Sequence, residues 1–103
     1  TPYPLTIAAY LGEAQITEEL LKRGAKVNAY NRYSTALLAA SGSDCINGLT
    51  RKQNPEVIKV LLKYGADPFL KDKENNVCPY MYAYYLSNKD ITKALPRPCD
   101  FRI

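Results

Sequence analysis

Leu20-Leu21-Lys22-Arg23-Gly24-Ala25-Lys26-Val27-Asn28-Ala29 recurs as Leu61-Leu62-Lys63-Tyr64-Gly65-Ala66-Asp67-Pro68-Phe69-Leu70. Paired leucines, a glycine three residues on and an alanine after it mark the end of one structural unit. The return of that run says the chain is a stack of similar units. A short stack works by presenting a surface. Function is therefore to be sought first among exposed side chains, not in a catalytic pocket.

Ahead of each run lies a helical pattern. In Glu13-Ala14-Gln15-Ile16-Thr17-Glu18-Glu19-Leu20-Leu21-Lys22, the spacing puts Ile16, Leu20 and Leu21 on one face. Pro55-Glu56-Val57-Ile58-Lys59-Val60-Leu61-Leu62-Lys63 does the same with Val57, Ile58, Leu61 and Leu62. Pro55 suits a first turn, and Glu56 favours the positive end of the helix dipole. Asp90-Ile91-Thr92-Lys93-Ala94-Leu95 reads as a third such helix, stopped by Pro96. Gly24 and Gly65 fall where a left-handed C-terminal cap needs no side chain. A shorter helix precedes each of these, over Pro4–Ala9, Ser34–Ala40 and Cys78–Ala83. Small residues at Ala8-Ala9, Ala39-Ala40 and Ala83 let neighbouring helices approach closely.

These motifs resemble the ankyrin repeat. The first unit matches with Pro4-Leu5-Thr6-Ile7-Ala8-Ala9, Gly12, Ile16, Leu20-Leu21 and Gly24-Ala25-Lys26-Val27-Asn28-Ala29. The second matches with Ala39-Ala40, Glu56-Val57-Ile58, Leu61-Leu62 and Gly65-Ala66-Asp67. The third is worn, keeping Pro79, Ala83, Asp90-Ile91 and Leu95. The resemblance implies an all-α solenoid of about three helix-turn-helix units joined by short β-turn fingers. The expected units are 1–29, 30–70 and 71–95, with 96–103 as a C-terminal tail.

Two departures stand out. The second unit carries about ten extra residues within 43–54, rich in turn formers and polar groups; such inserts form edge loops, often near a binding face. Tyrosine is abundant, at nine residues. Tyr80, Tyr82 and Tyr84 read as filling for a diverged closing unit. By resemblance to the family, the concave surface falls to Tyr10, Leu11, Ser41, Gly42, Tyr85 and Leu86 on the inner helices. Arg32, Tyr33, Lys73, Glu74 and Asn76 follow at the fingers. Tyrosine and arginine are frequent interface anchors. The residues expected to bind a partner are thus Tyr10, Leu11, Arg32, Tyr33, Ser41, Lys73, Glu74, Asn76, Tyr85 and Leu86.

Composition narrows the function classes. At 103 residues the chain is one domain, and 47% hydrophobic content argues against disorder. No apolar run reaches the ~20 residues that span a bilayer. A net charge of +4, spread over scattered lysines and arginines, reads as solvated surface. The absence of histidine removes Ser–His and Cys–His activation. No Gly-rich phosphate loop is present, and the acidic residues show no paired spacing; Glu18 and Glu19 read as i, i+4 partners of Lys22 and Arg23. Cys45, Cys78 and Cys99 form no CxxC pair and fit reduced thiols in a cytosolic setting. No cofactor, metal, nucleic acid or membrane is expected, and the chain reads as non-enzymatic and monomeric.

The expected function is recognition of another protein by a rigid, aromatic-bearing surface. A structural cap for a neighbouring domain and a nucleic-acid-binding surface are the alternatives. Thr1 opens inside a repeat, so the reading expects residues upstream to add packing. The Tyr-rich, interrupted repeats and the Pro96–Ile103 tail also resemble C-terminal ankyrin segments of bacterial type III effectors of the OspC family. That resemblance implies a parent transferase, secreted into the host cytoplasm, that modifies inflammatory caspases. This segment would dock the caspase, with the active site elsewhere.

Overall fold

The computed structural model describes residues 4–30, 34–42, 54–73, 76–86 and 89–96. Six helices follow one another: α1 (Pro4–Tyr10), α2 (Ala14–Lys22), α3 (Ala36–Ser41), α4 (Pro55–Lys63), α5 (Pro79–Tyr85) and α6 (Lys89–Ala94). They pair as α1/α2, α3/α4 and α5/α6. One row runs α1–α3–α5 and the other α2–α4–α6, each helix packing on the next in its row. The body measures 37 × 27 × 20 Å.

Local chemistry sets the helix ends. Thr35 caps α3 by accepting from the Leu38 N–H at 3.3 Å, and Asn54 caps α4 by accepting from the Glu56 N–H at 3.1 Å. Pro55 opens α4 in its first turn, where no amide partner is lost. The recurring Leu-Leu-Lys-x-Gly-Ala run is a Schellman stop, made twice. Gly24 N–H donates to Leu21 O and Ala25 N–H to Leu20 O, both at 3.1 Å. Gly65 N–H donates to Leu62 O at 3.1 Å and Ala66 N–H to Leu61 O at 2.9 Å. The same pair of bonds closes α1, from Gly12 to Ala9 O and from Glu13 to Ala8 O. Gly24 and Gly65 have φ of 94° and 93° with open space where a Cβ would stand. Backbone conformation, not crowding, demands glycine there.

The core lies between the rows. Val57, Ile58 and Leu61 of α4 meet Leu37 and Ala40 of α3, Ala83 of α5, and Ile91 and Leu95 of the last unit. Residues 36–41 of α3 are all buried, because this helix has α1 and α5 on its flanks and α4 behind it.

Four expectations need correction here. On α2 the buried residues are Thr17 and Leu21, while Ile16 stands exposed. Thr17 tolerates burial because its hydroxyl donates to Glu13 O at 2.7 Å. Tyr84, read as core filling, is exposed, whereas Tyr80 and Tyr82 are half-buried. Glu18 does not serve its own helix: its Oε2 lies 3.4 Å from Lys63 Nζ and accepts from Tyr64 Oη at 3.3 Å, both beyond α2. Arg23 and Glu19 do meet, at 3.5 Å. Tyr10 and Ser41 are buried as well, with consequences for the surface described next.

Candidate functional site

The inner row determines which side chains reach solvent. Pro79 starts α5, and Ala83, fully buried, presses it against α3. The next three residues swing outward. Tyr84, Tyr85 and Leu86 are 38%, 64% and 52% exposed. Three consecutive large apolar side chains at the end of one helix make a contiguous patch, not the scattered exposure ordinary to surfaces. The two phenol rings meet edge to face, with centroids 5.8 Å apart.

Leu86 reaches back over α3. A Cβ built on Gly42 would stand 2.5 Å from Leu86 Cδ1 and 3.3 Å from Tyr82 Cβ. Gly42, with φ of 139°, thus supplies both the backbone turn that ends α3 and the space that Leu86 fills. Leu86 therefore seats the patch against the C-terminal end of α3.

The second finger is tied to α5 through Tyr82. Asp72, buried, accepts from the Val77 N–H at 2.9 Å and from the Tyr82 hydroxyl at 2.9 Å. The backbone closes the same turn, with Asp72 N–H donating to Val77 O and Asn76 N–H donating to Asp72 O, each at 3.0 Å. Asn76 sits in the left-handed region, φ 58°, which asparagine tolerates. Lys73 Nζ stands 4.3 Å from the Tyr30 ring centroid, a cation–π contact joining successive fingers. The Tyr30 hydroxyl donates to Lys71 O at 2.6 Å. Burial, then the nearby Asp67 and Asp72 carboxylates, raises the Tyr30 pKa above its ordinary value.

The ten anticipated partner-binding residues therefore separate. Tyr85 and Leu86 share the patch, Lys73 and Asn76 are exposed on the finger, and Leu11 is half-buried at the end of α1. Tyr10 is buried in the α1 row, where α1 packs along α3. Ser41 is fully buried, its hydroxyl donating to Leu37 O at 2.7 Å inside the sandwiched α3. A partner cannot reach either side chain without unpacking the row. Arg32, Tyr33 and Glu74 lie outside the described residues, as does the insert over 43–53. Tyr84, read from the sequence as core filling, is exposed beside Tyr85; this follows from how α5 is rotated on α3, which no local pattern in the sequence signals.

Among the described residues no cluster of three or more His, Cys, Asp or Glu could hold a metal ion, and Cys78 is a buried free thiol. No described helix is long and apolar enough to cross a membrane.

The family model described as Ankyrin repeat matches residues 3–32 and 33–73. The ankyrin repeat protein nuc-2 of Neurospora crassa is 35% identical over 94 residues, covering 89% of this chain. The chain spans only 8% of that relative's length. Helix pairs, Schellman stops and the two matched repeats agree: the chain belongs to the ankyrin repeat family.

Proposed function

We propose that this chain binds its partner protein through the Tyr84-Tyr85-Leu86 patch and the finger that carries Lys73 and Asn76. Ankyrin repeats serve as protein-interaction modules, which supports the coarse reading. The observation that carries the finer one is the contiguous exposed apolar surface, held on a packed helix and continuous with Gly42. Side chains so held lose little freedom on binding, and aromatic anchors supply most of an interface's energy. Lys73 and Asn76, on the finger that Asp72 ties to Tyr82 of the same helix, set orientation.

The cations with described partners do not favour nucleic acid. Arg23, Lys59 and Lys63 each lie near a glutamate, and Lys73 lies over Tyr30. No observation favours the narrower effector reading, in which a caspase is the partner and a transferase lies elsewhere in the parent. The relative at hand is fungal.

The test is capture from lysate with the wild-type chain, a Tyr85→Ala/Leu86→Ala variant and an Ile16→Ser control. A captured protein should be lost with the double variant and kept by the control. A partner retained by both variants would sink the proposal. Binding that collapses with salt but ignores the double variant would point to nucleic acid instead.

A further inference from the structure

Repeat symmetry sets Ala8-Ala9 of α1 against Ala39-Ala40 of α3, so Leu5 matches Ala36 and Thr6 matches Leu37. Leu37 is fully buried in the core. Thr6 is buried as well, 4% exposed, but it is shorter, and it lines a cavity of about 180 Å³. Leu5, Leu20, Ala25 and Ala36 wall that cavity, which therefore lies between α1, the end of α2, the exit of the first unit and the start of α3. Lys26, exposed, borders it on the solvent side.

Two polar groups of this lining lack an acceptor. Elsewhere the buried hydroxyls are used: Thr17 donates to Glu13 O, Ser41 to Leu37 O, and Thr35 accepts from the Leu38 N–H. The Thr6 hydroxyl makes no hydrogen bond among the described residues. A buried hydroxyl left so costs free energy. Water is a poor remedy, because it needs two to four polar partners and the wall side chains are alkyl. The Lys26 ammonium likewise meets no carboxylate among the described residues, whereas Arg23, Lys59 and Lys63 each do.

We infer that this cavity is a binding site for a small apolar monocarboxylate. Its volume sets the size, since an apolar cavity of about 150 Å³ admits benzene. The alkyl walls call for an aromatic or short aliphatic body. Lys26 can only donate and Thr6 has a proton to give, so the head must accept, and the ammonium charge favours an anion. A sugar or a phosphate does not suit, because the wall side chains offer nothing to its remaining oxygens.

Benzoate is the probe, followed by methyl NMR of the whole chain. It should shift the Leu5, Thr6 and Ala36 methyl signals saturably, with a Kd on the order of 1 mM, the strength a ligand of this size reaches. Acetate has the head without the body, and benzyl alcohol the body without the charge; each should bind at least about tenfold more weakly. Lys26→Ala should weaken benzoate about fivefold and leave melting unchanged, since the side chain is exposed. Thr6→Val should also weaken it, and should raise the melting temperature because the unpartnered hydroxyl is gone. Thr6→Leu, the side chain that α3 carries at this place, should fill the cavity and remove binding; if that variant unfolds, Lys26→Ala decides alone. Equal shifts with acetate and benzoate mean only an anion at a surface lysine and overturn the inference. So do shifts that never saturate, binding that survives both Lys26→Ala and Thr6→Leu, and a fall in melting with Thr6→Val, which would show the hydroxyl to be bonded. Partner capture through Tyr85 and Leu86 stands or falls separately.

Discussion

Asn28 and Asp67 are joined across two units: Asn28 Oδ1 accepts from the Asp67 N–H at 2.7 Å, while Asn28 Nδ2 donates to Gly65 O at 3.2 Å. One side chain thereby ties the exit of the first unit to the exit of the second. Asn54 does the same at the other end of the helices, donating from Nδ2 to Gly12 O at 3.0 Å while its Oδ1 caps α4. These bridges fix the offset between neighbouring units, where aliphatic packing alone would permit sliding.

Asn28→Ala should therefore cost about 1 kcal/mol, since two hydrogen bonds go but both freed backbone groups can meet water. Asn54→Ala should cost about 1–2 kcal/mol, because it removes a helix cap as well as a bridge. Urea denaturation of each variant checks the order. Equal losses would show that the cap at α4 adds nothing.

Gly65→Ala and Gly42→Ala separate conformation from crowding. Both put a Cβ on a left-handed backbone, which costs about 1–2 kcal/mol. At Gly65 nothing further is met, whereas at Gly42 the new methyl collides with Leu86. Gly42→Ala should be the more damaging, and Leu86→Ala should recover part of the difference by opening the space. A double-mutant cycle on melting temperature gives the coupling directly.

Much of the fold was legible because it is written in local chemistry. Gly24 and Gly65 are needed for a left-handed backbone, Pro55 for a first turn, and the helical spacing of apolar residues for a buried face; each acts within a few residues. What was not legible depends on neighbours distant in sequence. Ser41 and Tyr10 sit at positions that the family resemblance assigns to the surface, yet close packing of the inner row covers them. Glu18 has Lys22 at helical spacing but finds Lys63 and Tyr64 instead, because α2 packs on α4. Ile16 and Thr17 were separable only once the covered side of α2 was known. The candidate patch was half legible: Tyr85 and Leu86 follow from the repeat frame, whereas Tyr84 follows only from how α5 is rotated.

Tyr30 makes the fingers sensitive to alkali. Its folded pKa is raised above the ordinary value of 10.0, first by burial and then by Asp67 and Asp72. The neutral phenol is thus favoured in the folded state. The associated stability is fully present below about pH 10 and is lost as pH rises through the folded pKa. Phenolate absorbance should lose a late-titrating contribution in Tyr30→Phe. The variant also loses the bond to Lys71 O, at a cost of about 1 kcal/mol near neutral pH.

Binding and stability should part company on α5. Tyr85 and Leu86 hold more than half of their surface in water, so Tyr85→Ala and Leu86→Ala should each shift unfolding by no more than about 0.5–1 kcal/mol. Ile91 and Ile58 are fully buried, and truncating either to alanine should cost about 2–5 kcal/mol. Asp72→Asn lies between, because it keeps the volume but removes the charge that accepts from Val77 N–H and Tyr82 Oη, at about 1–3 kcal/mol. An interaction patch held on a packed helix requires this separation: affinity must fall at Tyr85 and Leu86 while the melting curve barely moves. If both substitutions instead unfold the chain as Ile91→Ala does, the two side chains are core residues and the surface assigned to the partner lies elsewhere.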